Sequence, residues 1–390
     1  MAISEKVVGY MEKSSWIRKM FEEGIQLKKE FGEENVFDLS LGNPVMEPPE
    51  EVRKVLVECA RDESPGLHRY MPNAGFADVR AVIAESLSPE CRLSANDVVM
   101  VCGAAGGLNI TLKTLLDPGD EVIIFTPYFV EYLFYADNHG GKAVPVPTGD
   151  DFHLDFSALK NALNEKTKAV IINSPNNPTG VVYSRKELRD LADILKTHSN
   201  RFGKAVHLIS DDPYKKITFD GVEAPNILEF YDNSIYITSH SKDIALPGER
   251  IGFVAVHPRC EDAGPIMAGL IFCNRVLGFV NAPALIQRVV KQVQSVTVDV
   301  EQYRRKRDYL YKELTRIGYD VVKPQGAFYF FPKSPLEDEV EFVRKLAENK
   351  VLVVPGRGFG LPGYFRISYC FPDSVIEGSI LGFEQAFRAF

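Results

Sequence analysis

At 390 residues and 43.6 kDa the chain exceeds the roughly 100 to 150 residues on which single domains centre, so two domains are expected. Its 45% apolar and 25% charged residues are those of an ordinary globular chain and exclude disorder, collagen and coiled coil. Lys and Arg number 45 against 53 Asp and Glu, a formal net charge of −8; this argues against coating DNA or an anionic membrane, so any polyanionic partner should be small and met by a local cluster of donors.

The start, MAISEKVVGYMEKSSW, mixes charges into its first turns and lacks an apolar h-region, and no apolar run approaches the roughly 18 residues of a membrane span. Export and membrane insertion are therefore not expected. A helix over 15–31 and the turn FDLSLGNP occupy the first 48 residues, which carry no strand series of their own. Short β-rich runs then follow in series: VVMV at 98–101, EVIIF at 121–125, KAVIIN at 168–173, VHLIS at 206–210, IYIT at 235–238 and GFVAV at 252–256. Stretches with helical spacing lie between most of them. In one, Leu188, Leu191 and Leu195 recur behind a Ser184 cap with Glu187 three residues on. Strands alternating with helices imply an α/β fold with a mainly parallel sheet covered on both faces, whose ligands sit beyond the carboxyl ends of the strands.

After about Asn281 the pattern changes to a long amphipathic helix running through EQYRRKRDYLYKELTRIG and stopped by Gly318. GAFYFF, VLVVPG and YFRISYC then alternate with helical stretches such as EVEFVRKLAENK, a compact α+β layer that forms the second domain. No long linker separates the parts, so they should meet in a tight cleft. The six cysteines, Cys59, Cys91, Cys102, Cys260, Cys273 and Cys370, form no CxxC pair and have no histidine at finger spacing. Reduced thiols in the cytoplasm are expected, and no metal site.

Lys242, in YITSHSKDIALPGERIG, lies in a short polar turn between two apolar strands. Most lysines are solvated surface charges, but one held at a sheet edge in a dry cleft can lose its proton and condense with a carbonyl compound as a Schiff base. Asp211 ends a strand in SDDPY, with Tyr214 three residues on; a plain turn or cap explains this motif, and so does a carboxylate and a phenol at opposite edges of a flat ring. Asn177 is the amide that the rigid turn NSPNNPTG would fix. In VCGAAGGLNI small residues, Ala104 and Ala105 among them, join a strand to a helix, where backbone N–H groups receive a phosphate or the helix simply packs closely. The motif is neither GxGxxG nor a P-loop. Phe129, after a strand and Pro127, is a core aromatic or a stacking partner for a planar cofactor.

NSPNNPTG, SDDPY, SHSKDIALPGERIG and YFRISY, in this order and at these separations, resemble the class I/II aminotransferases of fold type I, which use pyridoxal 5'-phosphate. The likeness runs from LSLGNP to FRISY. It implies a large cofactor-binding domain over 49–285 with a seven-stranded sheet, and a small domain assembled from 1–48 and 286–390. It further implies that Lys242 forms the cofactor Schiff base and shuttles a proton, and that Asp211 pairs with the pyridine nitrogen. Tyr214 and Asn177 would bond the ring's phenolic oxygen, and Phe129 would stack on its face. The phosphate falls to Ala104, Ala105, Ser239 and Arg250, and Tyr70 would reach the phosphate of a neighbouring subunit in a homodimer. Arg366 would grip the substrate α-carboxylate, assisted by Asn177 and the backbone N–H of Gly42.

The expected activity is ping-pong amino transfer between an L-amino acid and a 2-oxo acid. Two alternatives remain: β-elimination on the same scaffold, and a non-catalytic sensor, which would need a DNA-binding module that the short preceding chain and negative charge do not favour. Some members with acidic substrates carry a lysine in the phosphate loop where this chain has Ala105, which counts against assuming aspartate. Arg275 falls near the position of a distal-carboxylate arginine and is a candidate outside the site set. Trp16, Ile17 and Arg18, on the first helix, could line the substrate side for a large or apolar amino acid.

Overall fold

The computed structural model describes residues 2–13, 15–87 and 91–390, without the side chains of 12, 13, 15–19 and 21, so Trp16, Ile17 and Arg18 lie outside the described side chains. The apolar runs assemble into one seven-stranded sheet: β1 (Val98–Val101), β2 (Glu121–Thr126), β3 (Lys142–Pro147), β4 (Thr167–Ile172), β5 (His207–Asp211), β6 (Ser234–Ser239) and β7 (Gly252–Val256). The order is β1-β7-β6-β5-β4-β2-β3. Strands β2 to β6 pair in parallel, and β7 runs antiparallel to both β1 and β6. This is the expected α/β architecture. Every residue of β1, β5, β6 and β7 is buried, which is why these strands read as continuous runs without polar alternation. Strand β3, KAVPVP, buries only Val146. It is an edge strand, where Pro145 and Pro147 cost no second ladder of hydrogen bonds, so it lacks the signature of its six neighbours.

Alternate side chains of each strand feed opposite faces. Val99, Val101, Ile237 and Val254 pack with Leu108 and Leu112 of the helix Gly103–Leu115. Met100, Ile123, Val170 and Leu208 share the other core with Leu188, Leu191 and Leu195. Those leucines lie on the helix Arg185–Phe202, opened by the expected capping box, in which Ser184 N–H donates to Glu187 Oε2 at 2.8 Å and Ser184 Oγ accepts from Glu187 N–H at 3.2 Å.

The single long helix expected after Asn281 is two helices, Ala284–Gln292 and Val300–Ile317. Between them Val293, Val296, Thr297 and Val298 crowd β-branched side chains where a helix would continue. Asp299 then caps a fresh start by accepting from Glu301 N–H at 3.1 Å. The segment is tied to the turn that carries Lys242: Val298 N–H and Thr297 Oγ1 both donate to the carbonyl of Asp243, at 2.7 and 3.0 Å.

The last part of the chain holds an antiparallel set of three short strands, Val354–Pro355, Phe365–Ser368 and Tyr329–Phe330. Near the start of the chain, Phe37–Asp38 pairs in parallel with Val351–Leu352. Leu39, Tyr303, Leu310, Phe330, Phe365 and Phe383 share one apolar cluster. Among the described residues no helix is long and apolar enough to cross a membrane.

Candidate active site

Beyond the carboxyl ends of β4, β5 and β6 lies a cavity of about 330 Å³. It is lined by Gly42, Ala104, Ala105, Phe129, Asn177, Asp211, Tyr214, Ser239, Lys242, Arg250 and Arg366, residues drawn from widely separated parts of the chain. Every residue singled out for the site is here except Tyr70, which is 92% exposed and lies outside this cavity. Arg275 is not among the lining residues; its guanidinium lies over the ring of Phe272, 5.5 Å from the centroid.

Asp211 closes β5 and is buried. Oδ2 accepts from the Tyr132 hydroxyl at 2.6 Å, while Oδ1 is buried with no partner. Burial raises its carboxyl to about 6, and the Tyr132 bond pulls the other way. Asn173, at the end of β4, donates from Nδ2 to the Asp211 carbonyl at 2.6 Å and accepts at Oδ1 from Asn177 N–H at 2.7 Å. One amide thus sets the strand end and the asparagine loop together.

Lys242 sits on the one-turn helix His240–Asp243 that follows β6, and its Nζ donates to the carbonyl of Gly42 at 2.7 Å. Burial lowers the amine to about 8; Arg366 and Arg250 push the same way, against Cys370. The lack of a side chain on Gly42 matters, since a Cβ there would lie 2.0 Å from the Tyr329 hydroxyl. That hydroxyl is 2.9 Å from the Tyr214 hydroxyl. Burial holds the Tyr214 phenol well above its ordinary value, so it keeps its proton.

Arg366, on the strand Phe365–Ser368, is buried. Nη1 donates to Asn177 Oδ1 at 3.0 Å and Nη2 to the Ser40 carbonyl at 2.5 Å, while Nε has no partner. The guanidinium lies over the rings of Tyr329 and Phe359, 4.7 Å from each centroid. At the other end of the cavity Arg250, held at φ 51°, donates from Nη1 to the Pro247 carbonyl at 3.0 Å. A Cβ on Gly103 would lie 2.7 Å from Arg250 Nη2. The bare backbone at the start of the helix Gly103–Leu115 and the guanidinium therefore share one small space with Ala104, Ala105 and Ser239, which suits a phosphate. Phe129 lies edge-on to Tyr132, 5.7 Å between centroids.

Reasoning from sequence missed Tyr132, Tyr329, Asn173 and Glu131, all on the cavity wall. Tyr132, three residues after Phe129, has only spacing to mark it, and Tyr329 reads as one more aromatic in GAFYFF.

The residues fit a pyridine ring carrying a phosphate. An unpartnered buried carboxylate oxygen awaits a donor, a cradle without side chains adjoins a guanidinium, and an amine of lowered basicity lies between. Residues 34–378 match the family described as aminotransferase class I and II. The chain is 33% identical over 356 residues, 88% of its own length and 91% of the relative's, to a probable aspartate aminotransferase of Methanocaldococcus jannaschii. It is 31% identical to an aromatic-amino-acid aminotransferase of Thermococcus litoralis, covering 100% and 99% of the two chains. An aminotransferase crystal structure from Eubacterium rectale superposes with a TM-score of 0.95 at 39% identity, covering 100% of this chain and 99% of the other. An aspartate aminotransferase from Thermotoga maritima gives 0.86 at 27% identity, covering 98% and 99%.

Proposed function

This chain belongs to the class I and II aminotransferases, and from that premise we propose how its cavity divides the work of a pyridoxal 5'-phosphate-dependent transaminase of fold type I. Asp211 carries the reading: a buried carboxylate with one oxygen tethered and the other unpartnered lines the same cavity as an amine of lowered pKa. When bound, the cofactor supplies an aldehyde that takes up the amino group and a ring that withdraws electrons from the carbon losing its proton. Asp211, ionised above about pH 6, offers Oδ1 to the ring N–H while Tyr132 fixes Oδ2. The N–H groups of Ala104 and Ala105, the Ser239 hydroxyl and Arg250 hold the phosphate. Phe129 covers a ring face, and Tyr214 and Asn177 donate toward the phenolic oxygen. Arg366 takes the substrate α-carboxylate beside Asn177 and the Gly42 backbone, and Lys242 moves the proton at the α-carbon.

The test mixes holoenzyme with amino acids in the absence of a 2-oxo acid. Stoichiometric conversion of the cofactor to its amine form supports transamination; continuous pyruvate release would replace this reading with β-elimination. The amine itself has a separate signature. In the cofactor-free chain, labelling of Lys242 by a small amine-reactive sulfonate should rise with pH to half its maximum near 8, because only the neutral amine attacks and burial lowers its pKa to about 8. Half-maximal labelling near 10.5, the value of an unperturbed lysine, would refute the lowered basicity.

We also propose a homodimer with shared sites, and two units divided as 49–285 against 1–48 with 286–390. The pairing of Phe37–Asp38 with Val351–Leu352 supports that division. Exposed Tyr70 stands beside a segment tied to 273–281: Asn274 Nδ2 donates to the Asn73 carbonyl at 3.0 Å, and Asn73 Nδ2 to the Val280 carbonyl at 3.1 Å. Phe272, Val276 and Leu277, on and just after the helix Ala263–Val276, are exposed as well. Apolar exposure of this extent suits a subunit interface. The expected mass in solution is twice that of the chain. Mixed dimers of Lys242→Ala and Tyr70→Ala subunits should recover activity that neither parent has, since one of their two sites is then intact; no recovery would place Tyr70 in its own chain's site or in none. Cys59, Cys102, Cys260, Cys273 and Cys370 are free thiols, which supports a reducing, cytoplasmic setting.

A further inference from the structure

Glu131 opens the helix Glu131–Asn138, where an acidic residue is ordinarily a solvated complement to the helix dipole. Here it is half-buried on the wall of the active-site cavity, and its Oε2 is fully buried with no hydrogen-bond partner. Burial raises its pKa, and the positive charge of Arg366 pulls it back, so the two side chains lie within each other's field.

Among the described residues, the lysines and arginines lining the cavity are Lys242, Arg250 and Arg366. The proposed reaction uses all three: the amine for proton transfer, Arg250 for phosphate and Arg366 for the α-carboxylate. None of these is left for a second carboxylate on the donor's side chain, position 105 is an alanine, and Arg275 does not line the cavity. Among its described residues the cavity has, in place of a spare cation, a spare carboxylate.

We propose that Glu131 is a specificity-determining residue that selects amino donors whose side chain ends in a cationic N–H group and rejects those ending in a carboxylate. The proposal rests on the transaminase reading and on Arg366 as the α-carboxylate anchor. A guanidinium or ammonium supplies the donor that Oε2 lacks, and charge-assisted bonds of this kind are the strong ones. A carboxylate in the same place meets a like charge in a partly dry space, and such repulsion discriminates as effectively as attraction.

The test is calorimetric titration of the holoenzyme with three mimics that lack the α-amino group and cannot react: 5-guanidinopentanoate, heptanoate and adipate. The wild type should bind 5-guanidinopentanoate about tenfold or more tighter than heptanoate, the size expected of a charged hydrogen bond, and adipate weakest of all. In Glu131→Gln the guanidino mimic should lose most of that advantage and adipate should gain affinity, with heptanoate moving least. Equal shifts for all three mimics, or adipate binding tightest to the wild type, would overturn the assignment. A parallel arm follows cofactor conversion with arginine, norleucine and glutamate. Conversion without charge sorting, alongside unsorted mimics, removes the role of Glu131 and leaves transamination standing. No conversion by any donor removes transamination, and the binding order of the mimics still decides Glu131.

Discussion

Lys242→Ala is expected to lower turnover by about 10⁴-fold or more, the upper range for losing a positioned base. The proposed phosphate cradle of Ala104, Ala105, Ser239 and Arg250 is left untouched, so cofactor should still bind, although not covalently. Lys242→Arg separates charge from basicity. It keeps a cation at the position but cannot offer a free base at neutral pH, and it should be as inactive as the alanine variant. Near-normal turnover in either variant would sink the assignment. Stability should move the other way. The amine is lowered to about 8 in the folded, cofactor-free chain from an ordinary 10.5, so between those values the unfolded chain binds more protons and stability rises with pH. Below 8 the buried ammonium is a full penalty. The cofactor-free alanine variant should therefore melt no lower than the wild type at pH 7, as thermal unfolding would show.

Asp211→Asn is the second large effect. Removing the charge proposed to complement the ring N–H should reduce turnover by about 10³-fold, the scale on which preorganised electrostatic groups act. The neutral amide still fills the space beside Tyr132. The carboxyl is raised from 3.8 to about 6 by burial. Between those values the folded chain binds more protons than the unfolded one, so stability falls as pH rises and the loss is complete above about 6. The cofactor-free asparagine variant should consequently melt higher than the wild type at pH 7.5, with the difference shrinking toward pH 4. A variant that is active, or less stable at pH 7.5 and equally so at pH 4, would contradict this account. Function here is held at the expense of stability in the empty fold.

Much of the fold and of the cavity is legible in the sequence, for physical reasons that differ by residue. Strands β5, β6 and β7 announce themselves because both faces are buried, and the residues that follow them inherit a position at the sheet's carboxyl edge. Asp211, Ser239 and Lys242 can be placed for that reason. Strand β3 cannot, because an edge strand with two prolines has neither a continuous apolar run nor a clean alternation. The break at 293–299 is masked by amphipathic charge on both sides, and only its β-branched residues mark it. Tyr132 and Asn173 act through a partner distant in sequence, Asp211, and Tyr329 through another, Tyr214. No local pattern encodes such pairings. Glu131 is hidden by its ordinary place in a first helical turn, and only the burial of Oε2 without a partner sets it apart.

The break after Gln292 also bears on how the chain tolerates changes in length. Surface connections usually accept insertions and deletions at small cost. This one has its far end hooked by Val298 N–H and Thr297 Oγ1 to the carbonyl of Asp243, the residue after Lys242, while Lys216 Nζ donates to the carbonyls of Gln294 and Val296 at 2.6 and 3.2 Å. One residue added or removed there would shift the register of those hooks and displace an amine far upstream in the chain. The spacing from 293 to 299 is thus a ruler for the active site, and natural length variation should spare it while accumulating in the other loops.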